Sequence, residues 1–187
     1  MKLILASASP RRSQILHEAG FSFEILKMDV DESFPADMDV RAVPLYLAKK
    51  KMEEAKKNAA PGDVIITADT AVILGSEIIN KPTDRADAAK MLRKLSGNMH
   101  IVISGVCIST GEKDVEFEDS TRVHFGELSD TEIDFYLDTY KPFDKAGAYA
   151  IQEWIGLNKI VKIEGNYFNV VGFPMSGVFT VLKQLGL

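Results

Sequence analysis

LILASASPRRSQIL, residues 3–16, is the stretch whose reading decides the fold. Three apolar residues, Leu3, Ile4 and Leu5, stop at the small residues Ala6, Ser7, Ala8 and Ser9. Pro10, Arg11 and Arg12 then lead into a helix-like pattern. This reads as a buried strand, a tight turn and a helix start. Ser9 suits the N-cap, and Pro10 suits the first helical position, where its missing N–H costs nothing. A helix N-terminus offers unpaired backbone N–H groups and partial positive charge to an anion. Two arginines there oppose the macrodipole, so helix stability does not account for them, whereas an anionic ligand such as a phosphate would. The plainer alternative is two solvated arginines after an ordinary cap.

Outward from this stretch, strand-like and helix-like segments alternate, which predicts an α/β protein. Residues 21–26 alternate as a strand, and 29–39 form an acidic loop broken by Pro35. Residues 42–59 carry a helical stripe through Leu45, Ala48, Met52 and Ala55. A short apolar strand over 63–67 is expected to end before Ala68-Asp69-Thr70, and 71–74 and 77–79 read as a hairpin across Gly75-Ser76. Thr83-Asp84 opens a helix that runs to Leu95 and stops at Ser96-Gly97. Residues 99–110 and 115–125 form a long antiparallel hairpin. Ser129 to Glu132 is a capping box opening a helix to Tyr140. Residues 159–163 and 167–171 read as short strands across Gly165-Asn166, and 174–185 as a closing helix.

With 187 residues, the chain is long enough for one sizeable core or for two lobes sharing a sheet, and no linker or repeat divides it. A single domain over 1–187 is expected. The net charge of −5 argues against a general nucleic-acid binder. No apolar run reaches the ~18 residues of a membrane span, and the apolar N-terminal stretch is too short for a signal peptide. Cys107 is the only cysteine, lies in an apolar run and fits a reducing cytoplasm. No local nucleophile signature surrounds it. The three histidines lack metal-ligand spacing, and neither GxxxxGK[ST] nor GxGxxG occurs.

Asp69 follows a buried strand, where open α/β sheets place ligand sites, and a carboxylate there can hold a metal or activate water. Capping of the next turn is the competing role. Glu32, in the acidic loop, is a second candidate oxygen ligand. Of Lys49, Lys50 and Lys51, one can lie on the packed side of its helix. Lys81 precedes Pro82 on a turn, and Lys145 lies in Asp144-Lys145-Ala146-Gly147. Each alone reads as a surface charge. With Arg11 and Arg12 they set several cations against a few carboxylates, a balance suited to a triphosphate bound with a divalent metal.

These segments together resemble the Maf (septum formation) family of nucleoside triphosphate pyrophosphatases almost end to end. The resemblance rests on LASASPRR (5–12), Ala48-Lys49-Lys50-Lys51, Ala68-Asp69-Thr70 and Lys81-Pro82. It continues through Leu95-Ser96-Gly97 with His100, then Asp144 to Tyr149 with Ile151-Gln152, and Asn169 to Pro174. It implies a Maf/ITPase-like fold: a mixed central sheet flanked by helices, bilobed with a cleft for phosphate. It also implies cleavage between the α- and β-phosphates with Mg²⁺ or Mn²⁺. Asp69 falls on the family's catalytic carboxylate, and Glu32 on an acidic residue that helps with metal or water. Arg11, Thr70 and Gln152 fall on specificity positions, and Lys51, Lys81 and Lys145 on phosphate-contacting ones. Ser7 and Arg12 complete the expected substrate-binding set.

KAGAYAIQ (145–152) resembles the branch acting on dTTP and UTP. The sister branch acting on 7-methylguanosine triphosphate is the alternative, as is a nucleotide-sensing regulator of division that does not hydrolyse. A homodimer is expected from the resemblance alone, with no nucleic-acid or membrane partner. Two departures stand out. Met99 replaces a small polar residue before His100, and Glu153-Trp154 replaces a glycine-containing continuation after Gln152.

Overall fold

β1 (Leu3–Leu5) is buried along its whole length and takes a parallel partner on each side. β2 (Glu24–Ile25) pairs through Ile4↔Glu24, and β3 (Val64–Leu74) through Leu3↔Val64 and Leu5↔Ile66. β4 (Glu77–Ile79) then runs antiparallel to β3 through Val72↔Ile79. With β5 (Met99–Ser109), β6 (Asp114–Phe125) and β7 (Ile160–Glu164), the described strands make one mixed seven-stranded sheet. Its order is β2-β1-β3-β5-β6-β7, with β4 on β3. The helices are α1 (Pro10–Glu18), α2 (Val43–Lys56), α3 (Arg85–Leu95), α4 (Asp130–Tyr140), α5 (Trp154–Lys159), α6 (Tyr167–Val171) and α7 (Met175–Gln184). This computed structural model describes residues 2–187. The expected α/β class and mixed, helix-flanked sheet are present.

The chain divides into two compact units. The first is Met1–Thr70, Ser104–Asp119 and Gly172–Leu187, and the second is Ala71–Ile103 and Ser120–Val171. In the first, Ala48, Met52 and Ala55 of α2 pack with Ala6, Ile65 and Cys107. The approach is close because Gly105 of β5 has no side chain: a Cβ there would lie 2.3 Å from Leu45 Cα. Thr67 also donates its hydroxyl to Ala48 O at 2.8 Å, which fixes α2 along β3. Burial pushes the Cys107 thiol up to about 12, as befits a core thiol rather than a nucleophile. The second unit is built around Val72, Leu92, Val102, Phe125, Ile133, Tyr136 and Tyr149, among others.

Three local expectations are corrected. The strand expected over 63–67 does not stop before Ala68 but runs on to Leu74. Asp69 and Thr70 remain in the ladder because both side chains have partners. Residues 167–171 form α6, not a strand. Their aromatic and β-branched composition favours a strand, but Asn166 Oδ1 accepts from Phe168 N–H at 2.9 Å and starts a helix. Asn169 then turns inward and donates to Val102 O and Thr121 Oγ1, each at 3.0 Å. Of the strand expected over 21–26 only β2 forms, both residues exposed. In addition, α5 occupies 154–159, a segment too short to show a helical period in sequence.

Candidate active site

Pleating explains why Asp69 faces Lys51. Along β3, alternate side chains share a face. Ile65 packs with α2, Thr67 bonds to it, and Asp69 is next on that side. On α2, Lys51 is three residues from Ala48 and four from Ala55, so it borders the packed stripe. Its ammonium donates to Asp69 Oδ1 at 2.6 Å and to Glu32 Oε1 at 2.7 Å. The Lys51 and Asp69 side chains are each 15% exposed, whereas Glu32 is open to solvent. The other two lysines of the run are engaged elsewhere, Lys49 with Glu116 and Lys50 with Asp31. Hydrogen bonds from Lys50 and then from Ser33 hold Asp31 down at about 2. The acidic loop is thus tied to α2 by two consecutive lysines.

The opposite face of β3 belongs to Arg12. β1 ends at Leu5, and Ala6 N–H takes Ile66 O at 2.8 Å as the last rung. The next carbonyl on that side, Ala68 O, receives Arg12 Nη1 at 2.8 Å in place of a strand partner. Arg12 also donates through Nε to Gly172 O at 3.0 Å, through Nη1 to Ser7 Oγ at 3.3 Å and through Nη2 to Thr70 Oγ1 at 3.2 Å. Four of the five guanidinium N–H groups are therefore engaged, and any contact of Arg12 with substrate rests on the fifth. Burial pulls this guanidinium below the usual arginine range. Asp69 opposes that shift, Arg11 adds to it and Glu32 opposes it, so the four charges act on one another.

Thr70 is equally occupied. Besides accepting from Arg12, its hydroxyl shares a hydrogen bond with Ser104 Oγ at 2.8 Å and donates to Gly172 O at 3.3 Å. Ser9 stands at the N-cap of α1 with extended backbone, but its side chain makes no cap bond; its N–H instead donates to Ser7 Oγ at 3.2 Å. The first turn of α1 contains no acidic residue. Ser7, Arg11, Arg12, Glu32, Lys51, Asp69 and Thr70 all belong to the first unit, where the turn after β1 meets the middle of β3.

Lys81, Lys145 and Gln152 belong to the second unit. Lys81 is exposed and makes no ion pair among the described residues. Its turn is tied to the Lys145 segment by Gly147 N–H donating to Asn80 O at 3.1 Å. Gly147 has φ +73, and a Cβ there would press on Val72 at 3.2 Å, so glycine suits both the turn and the contact. Lys145 is 13% exposed and pairs with Asp144 at 2.8 Å and more loosely with Glu153 at 3.6 Å. Gln152 is exposed and lines a cavity of about 410 Å³ with Ile151, Gly156, Leu157, Lys162 and Tyr167.

Ser104 and the Gly172 carbonyl were not foreseen. Ser104 is hidden in an apolar run, and a backbone acceptor leaves no mark in composition. Among the described residues no group of three or more His, Cys, Asp or Glu side chains is placed to hold a metal ion. Asp69 and Glu32 nevertheless direct carboxylate oxygens at one shared cation, the Lys51 ammonium. Two oxygen donors completed by substrate phosphates are a common way to hold Mg²⁺, so the donor set fits such an ion.

The Maf-like protein family model matches residues 2–185. A protein of Cytophaga hutchinsonii named dTTP/UTP pyrophosphatase is 47% identical over 98% of this chain and 84% of its own length. One of Porphyromonas gingivalis with the same name is 46% identical over 99% of this chain and 94% of its own. Among solved structures, the Staphylococcus aureus Ham1 protein superposes with a TM-score of 0.50 at 17% identity, covering 68% of this chain and 73% of that one, a likeness of fold. With a continuous match from Lys2 to Leu185 on these elements, the chain belongs to the Maf-like protein family.

Proposed function

We propose that this protein hydrolyses dTTP and UTP to the nucleoside monophosphate and pyrophosphate. The observation that carries the reading is the placement of Asp69. Its carboxylate is aimed by Lys51 on one side of β3, while Arg12 holds the residues before and after it, Ala68 and Thr70, on the other. The names of the two relatives supply the substrate class. No described helix is long and apolar enough to cross a membrane.

In this reading, water attacks the α-phosphorus, a P–O bond forms, and the bond from the α-phosphorus to the α–β bridging oxygen breaks. Asp69 accepts the proton of the attacking water, and Glu32 assists through the Lys51 ammonium they share. Pyrophosphate leaves with the bridging oxygen. Arg11, Lys51 and Lys81 stabilise its growing charge, a preorganised donor being worth about 3 kcal/mol. Asp69 and Glu32 would hold Mg²⁺ or Mn²⁺, which when bound polarises phosphate oxygens. Ser7 and Arg12 set the turn that faces the phosphates, Thr70 keeps Arg12 oriented, and Gln152 reads the base edge with Lys145 nearby.

A panel of dTTP, UTP, CTP and 7-methyl-GTP with Mg²⁺ tests this, with pyrophosphate and orthophosphate assayed separately. Pyrophosphate from dTTP and UTP is expected. Preference for 7-methyl-GTP would move the protein to the sister branch, and release of orthophosphate or of nothing would overturn the reaction.

A further inference from the structure

The hydroxyl of Tyr136, buried on α4, touches both ends of one tight turn. It accepts from Ala150 N–H at 3.1 Å and donates to Glu153 Oε2. The same two residues are joined by Glu153 N–H donating to Ala150 O at 3.1 Å. Between them sits Gln152, exposed. Glu153 Oε1 lies 3.6 Å from Lys145 Nζ, so the carboxylate has one oxygen on the tyrosine and the other toward the lysine.

The turn is seated from below as well. A Cβ at Gly156 would lie 1.6 Å from Ile151 O, so this carbonyl rests directly on the backbone of α5. Beside the clasp, the rings of Phe135 and Trp154 meet edge to face at 5.3 Å. Ala150, Ile151, Glu153 and Trp154 are thus each held, while Gln152 is exposed between them. Burial and the bond to Glu153 both push the Tyr136 hydroxyl up, so it remains a donor. A phenylalanine would fill the same space without desolvating a hydroxyl and a carboxylate. The polar pair adds direction rather than packing.

We propose that Tyr136 and Glu153 are positioning residues for base recognition: their clasp fixes the 150–153 turn so that Gln152 presents its amide to the pyrimidine edge, and steadies Lys145 beside it. This rests on the reading of Gln152 given above. Glu153, a departure from the family pattern, acquires a role here that sequence could not assign.

Tyr136→Phe and Glu153→Ala are each expected to raise KM for dTTP about tenfold and to erode the dTTP-over-CTP preference by a similar factor. kcat should stay within about twofold, because neither residue meets the reacting phosphates. The double variant should be no worse than the worse single one, since either change opens the same clasp. Glu153→Gln, which keeps an acceptor for the tyrosine, should recover most of the loss. A lowered Tm with KM and preference unchanged would overturn the proposal. If Tyr136→Phe does not fold, the two Glu153 variants decide the question. Should the wild type release no pyrophosphate, the proposed reaction falls separately. Calorimetric Kd for dTTP then decides the clasp, with weakening in Glu153→Ala supporting it and an unchanged value overturning it; absence of binding by the wild type would overturn both.

Discussion

The two units supply polar residues in opposite ways. In the first, Asp69, Thr70, Arg12 and Lys51 stand on β3, α1 and α2, and their heads bond to each other, to neighbouring side chains and to backbone carbonyls. In the second, Lys81, Lys145 and Gln152 stand on turns. Those turns are fixed by backbone bonds, by Gly147 at positive φ and by the Tyr136 hydroxyl. Groups held on regular elements meet narrow geometric tolerances, as bond-making chemistry requires. Groups held on turns can differ between relatives without disturbing a ladder, as suits recognition. The contrast suits the proposed reading, in which Asp69 of the first unit takes the proton and Gln152 of the second reads the base.

The strongest test of that division is Asp69→Asn. It preserves an acceptor for Lys51 and should keep the fold, yet lower kcat for pyrophosphate release by about a hundredfold or more. Near wild-type turnover would remove the chemistry from the first unit. Next comes Gly105→Ala, where the obstacle is the α2 backbone, which cannot swing aside as a side chain can. About 3 kcal/mol of stability should be lost, or roughly 6–12 °C in Tm, read by calorimetry.

Acid sharpens the comparison because the units respond in different windows. His100 in the second unit is held down at about 4, chiefly by burial, with its Nε2 on Tyr149 Oη at 2.7 Å. From pH 6.5 down to about 4 the unfolded chain binds a proton that the folded one refuses, so stability falls by up to about 3 kcal/mol across that range. Asp31 in the first unit, with a folded value of about 2 against 3.8, contributes stability that is full above pH 3.8 and fades only below it. Amide exchange near pH 5 should therefore show weakening in the second unit first; equal weakening of both would remove His100 as the cause.

The smallest effects separate the two arginines. Arg12→Lys cannot span Gly172 O, Ala68 O and Thr70 at once and should cost about 2 kcal/mol, with Tm and kcat/KM falling together. Arg11→Ala should act mostly on kcat/KM, with a smaller change in Tm than Arg12→Lys. A loss confined to Tm in Arg11→Ala would make it the structural member of the pair.

Much of this was legible beforehand. The capping box at Ser129–Glu132 formed as its spacing demanded, as did α3 opened by Asp84, whose side chain accepts from Asp87 N–H. The stripe on α2 limited the inward lysine to one of three. Errors came where a polar side chain found a distant partner. Thr70 and Asp69 stay in a strand because Arg12 and Lys51 answer them, and Asn169 belongs to a helix because Val102 O and Thr121 receive its amide.

Sequence by itself determined the elements whose causes lie within a few residues: the strand–turn–helix opening, the caps, the helical stripe and the family to which their order points. Only tertiary structure decided which lysine meets Asp69, that Arg12 spends its donors on carbonyls, and that Tyr136 closes the turn around Gln152. Hydrogen bonds between groups 14 to 160 residues apart depend on where the sheet and helices bring them, and no local pattern records that distance.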